Sequence, residues 1–102
     1  MNSEGSYTTL VYACEKGNEK MVKFLIKNGA NINKIINEVY TPLTKACING
    51  HMKIVKYLIK HGADINKEDY NENTPLIKAC IHGHINIVKH LIEHGVDINK
   101  EN

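Results

Sequence analysis

Thr41-Pro42-Leu43-Thr44-Lys45-Ala46-Cys47 recurs as Thr74-Pro75-Leu76-Ile77-Lys78-Ala79-Cys80, and Thr8-Thr9-Leu10-Val11-Tyr12-Ala13-Cys14 lies ahead of both in the same register. The three leading threonines stand 33 residues apart, since 41 − 8 and 74 − 41 are both 33. The register runs on through Gly17, Gly50 and Gly83, then through Gly29, Gly62 and Gly95. It closes on Asn31-Ile32-Asn33-Lys34, Asp64-Ile65-Asn66-Lys67 and Asp97-Ile98-Asn99-Lys100. Over the 29 positions counted from each threonine, the second and third segments agree at 21 and the first and second at 16. Repetition at a fixed period of this size marks a chain assembled from copies of one supersecondary unit.

Each unit reads as two short helices followed by an extended excursion. Thr41 is a good N-cap, because its hydroxyl can accept from an unpaired first-turn amide. Pro42 follows at the first helical position, where a missing N–H does no harm. Leu43, Ala46 and Cys47 then form an apolar stripe at helical spacing, and Gly50 supplies the stop. A second helix carries Ile54, Val55, Leu58 and Ile59 and stops at Gly62. Residues 64–73 are polar and rich in turn formers. Neither helix is long enough to stand alone in water. Each stripe must be covered by the neighbouring unit, which makes the array a solenoid.

The 33-residue period, Thr-Pro-Leu-x-x-Ala, Gly50-His51 with Gly83-His84, and Gly62-Ala63-Asp64-Ile65-Asn66 together resemble ankyrin repeats. The resemblance spans residues 8 to 102. It divides the chain into a leader at 1–7, repeats at 8–40 and 41–73, and a third at 74–102. It implies an all-α solenoid of helix-turn-helix units with β-hairpin-like fingers projecting between them, and a non-catalytic protein-binding role. Four departures from the family pattern stand out. Val11, Thr44 and Ile77 replace the usual His after Thr-Pro-Leu, where the ring is tied to the Thr hydroxyl. Ser6, Val39 and Glu72 replace the usual finger glycine. Thr9 replaces Pro in the first unit, and the third unit spans 29 residues, 74 to 102.

Composition narrows the function further. A chain of 102 residues, 42% apolar and 24% charged, has room for one globular domain. No apolar run approaches the roughly 20 residues that cross a bilayer, so no membrane association is expected. The start, Met1-Asn2-Ser3-Glu4-Gly5-Ser6, has neither a basic nor an apolar stretch, which points to an intracellular, cytoplasmic protein or a piece of a larger one. The net charge is +2, all 13 cations are Lys, and the signs are mixed. A nucleic-acid binder would gather positive charge on one face and favour Arg, so nucleic acid is not the expected partner.

Chemistry-bearing residues mostly repeat with the fold. Cys14, Cys47 and Cys80 share one register position on the first helix. Stacked helices lie about 8–10 Å apart, beyond easy disulfide reach, so the sequence predicts three small buried thiols in a reducing compartment. Among six histidines, His51 with His84 and His61 with His94 occupy repeated positions, leaving His82 and His90 as extras. His90 and His94 stand at i, i+4, a chelating spacing, yet no carboxylate or Cys is evidently spaced to complete a set, and no metal is expected. No glycine pattern cradles a phosphate, and Ser3 and Ser6 are the only serines, so neither a cofactor nor catalysis is indicated.

The tyrosines deviate from the repeat. Tyr7 and Tyr40 each precede a repeat threonine, Tyr70 lies in the second finger, and Tyr12 lies four after Thr8. In the resembled family these positions face the concave groove and finger tips, where partners dock, and Tyr suits an interface by its large contact area. The expected partner-binding set is Tyr7, Tyr12, Tyr40 and Tyr70 as anchors, Ile48 and Ile81 as apolar floor, and Lys45, Asn49, Lys78 and His82 around them. Ile35 and Ile36, in an otherwise polar finger, are candidates either for partner contact or for packing between fingers. The outer second-helix surface, with Lys56 and Lys60, is expected to stay free. A second expectation concerns assembly. The third unit keeps Leu76, Ile77, Ile81, Ile85, Ile87, Leu91, Ile92, Val96 and Ile98 with no polar cap, which predicts further repeats or end-to-end self-association.

Overall fold

The computed structural model describes residues 3–35 and 40–95, with side chains from Thr9 onward. Six helices follow one another among these residues: α1 Ser3–Lys16, α2 Glu19–Lys27, α3 Pro42–Ile48, α4 Met52–Lys60, α5 Pro75–Ile81 and α6 Ile85–Glu93. They pair as α1/α2, α3/α4 and α5/α6, one pair per unit. The first helices stack as one row, α1 on α3 on α5, and the second helices as another, α2 on α4 on α6. The first row is packed the more tightly. The all-α solenoid read from the repeat is the fold.

Proline sets where the first helices begin. Thr41 and Thr74 sit in extended backbone and accept from the amides of Thr44 and Ile77, with Pro42 and Pro75 next in the chain. A residue before proline is pushed out of the helical region, so α3 and α5 cannot reach further back. In the first unit Thr9 stands where the prolines do, and α1 runs back to Ser3. The segment read as a leader therefore contributes a helical turn. Each helix ends at a glycine whose left-handed backbone a Cβ would strain, as at Gly50 with φ of 75°.

The core is the interleaving of the two rows. Leu10, Ala13 and Cys14 of α1 and Leu43, Ala46 and Cys47 of α3 are buried with Ala79 of α5. Val22, Ile54, Val55, Leu58, Ile87 and Leu91 fill the space behind them. Burial of a side chain such as Leu58 contributes about 1.5–3 kcal/mol, so neighbouring units hold one another.

One expectation changes. Cys80 is exposed, whereas Cys14 and Cys47 are buried with thiols pushed up to about 12 by desolvation. The reason is positional: α3 covers α1 and α5 covers α3, but among the described residues no helix lies over the far side of α5. The finger between the second and third units is a turn, and the described residues contain no strand. Asp69 builds it. Its amide donates to the Asn73 carbonyl at 2.9 Å, and its carboxylate accepts from the amides of Asn71 at 2.7 Å and Asn73 at 3.0 Å. Val39 and Ile36, in the preceding finger, lie outside the described residues.

Candidate functional site

Tyr12, Lys45 and Lys78 share a register position on the three first helices, and their contacts define which way that row faces. Lys45 places its Nζ 3.9 Å from the centre of the Tyr40 ring. It also pairs with Glu15 of the preceding unit at 3.5 Å. Lys78 reaches Asp69 in the finger turn at 3.7 Å. The row therefore looks toward the fingers. Tyr12, in the first unit, is 59% exposed, with Lys16 5.4 Å from its ring centre. Tyr70 stands out from the Asp69 turn and is 74% exposed. Tyr7 lies on α1, its side chain outside the described part.

The remaining candidates divide into free and engaged groups. Ile81 is 62% exposed, while Ile48, its counterpart, is half-buried beneath the next unit. Asn49 donates from Nδ2 to the Lys45 carbonyl at 3.0 Å, and His82 from Nδ1 to the Lys78 carbonyl at 3.0 Å. Both thus finish the helix they follow while keeping an exposed side. Lys78 is the least available: its side chain is 15% exposed and pairs with a carboxylate that is 1% exposed. Asp69 Oδ2 has no hydrogen-bond partner among the described residues, so the Lys78 charge is its compensation. Tyr40, Lys45 and Glu15 are linked at one unit and Asp69 with Lys78 at the next, while Tyr12 and Tyr70 are largely exposed.

Several residues outside the expected binding set join the units or cap their helices. His51 donates from Nε2 to the Glu15 carbonyl at 2.9 Å, and His84 to the Ile48 carbonyl at 2.9 Å. Each ring lies over the glycine of the unit before: a Cβ on Gly17 would come within 2.7 Å of His51, and one on Gly50 within 2.7 Å of His84. Asn33 clamps the first two units, donating to the Gly62 carbonyl at 3.1 Å and accepting from the Asp64 amide at 2.6 Å. Thr44, standing where the family pattern has His, closes a reciprocal cap: Thr41 donates its amide to Thr44 Oγ1 at 2.6 Å, and Thr44 its amide to Thr41 Oγ1 at 3.1 Å. The Gly-His repetition was the signal for the first of these. The others have no signature beyond common turn chemistry.

Near the end of α6 the structure adds a carboxylate that the spacing did not suggest. Glu93 joins His90 and His94, and the three offer ligand atoms within 4.8 Å of one another. Partial burial, then the neighbouring His94 and Lys56, hold the His90 imidazole below its ordinary range, against the opposing pull of Glu93. Among the described residues no helix is long and apolar enough to cross a membrane.

Comparison with known proteins agrees with this architecture. The family described as ankyrin repeats, in three copies, matches residues 10–102. The chain belongs to that family, whose members generally serve as protein–protein interaction modules and are typically without catalysis. A search among curated proteins returned no match.

Proposed function

We propose that the chain is a non-catalytic module that binds a partner protein along the finger tips and the finger-facing side of its first-helix row. The observation that carries this is the exposure of Tyr12 on the first helix and of Tyr70 in the second finger turn, at 59% and 74%. Large exposed aromatic groups are suited to be anchors, and Lys45 with Tyr40 adds a paired polar–aromatic surface. The mixed charge of the chain favours a protein over a nucleic acid. A cytoplasmic setting accords with the unpaired thiols of Cys14, Cys47 and Cys80. The division into repeats at 8–40, 41–73 and 74–102 is kept, with Ser3–Tyr7 extending the first.

The test starts from a partner isolated by affinity capture from the source cell. Tyr70→Ala and Tyr12→Ala should each weaken binding by about 1–3 kcal/mol if they are anchors. Lys56→Ala and Lys60→Ala, exposed on α4, should change it little. The reverse ranking, with helicity intact, places the interface on the second-helix side.

A second reading is favoured by the far side of α5. Ile77, Cys80 and Ile81 are exposed there, whereas Thr44 and Cys47 are buried and Ile48 half-buried at the same positions of α3. Gly83 keeps its left-handed backbone but has nothing within 4 Å of its Cβ position, where Gly50 has an imidazole. The complement of this face is a further unit bearing His at the Gly-His position. The first unit of a second copy offers Asn18 instead, which is turned inward to accept from the Met21 amide at 3.1 Å. Continuation of the array therefore fits better than head-to-tail self-association. Fusing one more copy of the 41–73 unit should raise the melting temperature, and sedimentation should show a monomer. No rise defeats the continuation; concentration-dependent assembly of the unfused chain supports the self-associating alternative.

A further inference from the structure

Three positions at the end of the second helix change character together in the third unit. Phe24, Tyr57 and His90 share one register position; Lys27, Lys60 and Glu93 a second; Asn28, His61 and His94 a third. In the middle unit His61 stacks on Tyr57 with ring centres 4.0 Å apart and donates from Nδ1 to the Tyr57 carbonyl at 2.9 Å. The third unit repeats that geometry: His94 stacks on His90 at 3.9 Å and donates from Nδ1 to the His90 carbonyl at 2.9 Å. The fold thus holds the His94 ring by its Nδ1–H, and so leaves Nε2 as the nitrogen with a free lone pair. A backbone carbonyl holding one imidazole nitrogen so that the other can ligate is a common outer-shell arrangement of metal-bound histidine. The third unit alone then supplies a second imidazole in place of an aromatic ring, and a carboxylate in place of a lysine.

We propose that His90, Glu93 and His94 form a binding site for one divalent transition-metal ion of the imidazole-preferring kind, with zinc as its representative. Two nitrogens and one carboxylate oxygen suit such an ion, and their atoms already lie within 4.8 Å of one another. Coordination requires the stacked His90 and His94 rings, 3.9 Å apart, to turn so that their lone pairs converge on one point. The site lies at the C-terminal end of α6, where helix carbonyls carry partial negative charge, and Glu93 and His94 are open to solvent. Lys56 of α4 opposes the ion from the adjacent unit. Three protein ligands leave a coordination position for water or for a donor from another molecule.

Calorimetric titration with zinc chloride, in a buffer that does not chelate, tests the site. A Cys80→Ala background removes the exposed thiol as a competing ligand. The expected result is one equivalent bound, with a rise in melting temperature. His94→Ala, and separately the double change His90→Tyr with Glu93→Lys, should weaken binding about 10- to 100-fold or more. The double variant reproduces residues that the middle unit already tolerates, so circular dichroism should show it folded. His61→Ala should leave the affinity unchanged. Zinc binding that is equal in all variants, absent, or confined to millimolar metal as adventitious surface binding would overturn the proposal.

Discussion

The second and third units agree at most positions yet live in different surroundings, and the contrast separates what the repeat encodes from what its neighbours supply. Cys47 is buried and Cys80 exposed. Gly50 lies against an imidazole and Gly83 faces open space. Thr41 and Thr44 cap each other reciprocally, whereas Thr74 accepts a single bond from the Ile77 amide at 3.3 Å. Local sequence makes both units helical. The middle one is made rigid by units on both sides of it. In a solenoid, stability is close to a sum of unit and interface contributions, so α5 and α6 should exchange their amides faster than α3 and α4.

The largest expected difference is chemical. Burial places the Cys14 and Cys47 thiols at about 12, where thiolate is scarce at neutral pH and reagents have no access without local opening. Cys80 should react with a maleimide at a surface rate, and Cys47 about 100-fold or more slowly until denaturant is added. Equal rates at the two sites would break the comparison.

Glycine substitution comes next. Gly50 and Gly83 have nearly the same backbone, with φ of 75° and 74°, so alanine meets the same left-handed strain at each, about 1 kcal/mol. At Gly50 the methyl group also collides with the His84 ring, displacing a bond from that ring to the Ile48 carbonyl. Gly50→Ala should therefore destabilise by about 2–3 kcal/mol in urea denaturation and Gly83→Ala by about 1 kcal/mol. Similar losses would mean that the imidazole yields without consequence. A smaller effect separates the two caps. Thr44→Val should destabilise by about 1 kcal/mol, because the reciprocal cap loses its hydroxyl in a buried place. Ile77→Thr should stabilise by a few tenths of a kcal/mol, since it offers the third unit the same cap at an already exposed position.

These contrasts also show what the sequence carried. The period, the prolines and the terminal glycines were enough for the helix pairs and the solenoid, because each acts through local backbone preference that repeats with the chain. The length of α1 was not legible, because Thr9 stands where proline fixes the start of α3 and α5, and a missing proline carries no positive signal. The burial of Cys80 was misjudged because register says which face a residue takes, and the neighbouring unit decides whether that face is covered. Tyr12 and Tyr70, singled out in the sequence, are both exposed, and Tyr12 shares its register position with Lys45 and Lys78. The pairing of Lys78 with Asp69 was not legible, because Asp69 comes close only through the turn that Asp69 itself organises.

The finest distinction lies at the seam between the two units. Glu72 is the one non-glycine residue with positive φ among the described residues, at 63°. It occupies the place where the family pattern has glycine. Its amide donates to the Asp69 carbonyl at 3.0 Å, and the turn needs that conformation to bring the Asn73 amide onto the Asp69 carboxylate at 3.0 Å. A side chain in this region is strained by about 1–2 kcal/mol, while glycine gives back about 0.5–1 kcal/mol through the freer unfolded chain. Glu72→Gly should therefore stabilise by about 0.5–1 kcal/mol, measured by urea denaturation. Because the turn orders Asp69 beside Lys78, the gain should appear as slower amide exchange in α5 and α6, with α1 and α2 nearly unchanged. Destabilisation by Glu72→Gly would show that the Glu72 side chain holds the finger by contacts that outweigh its backbone strain.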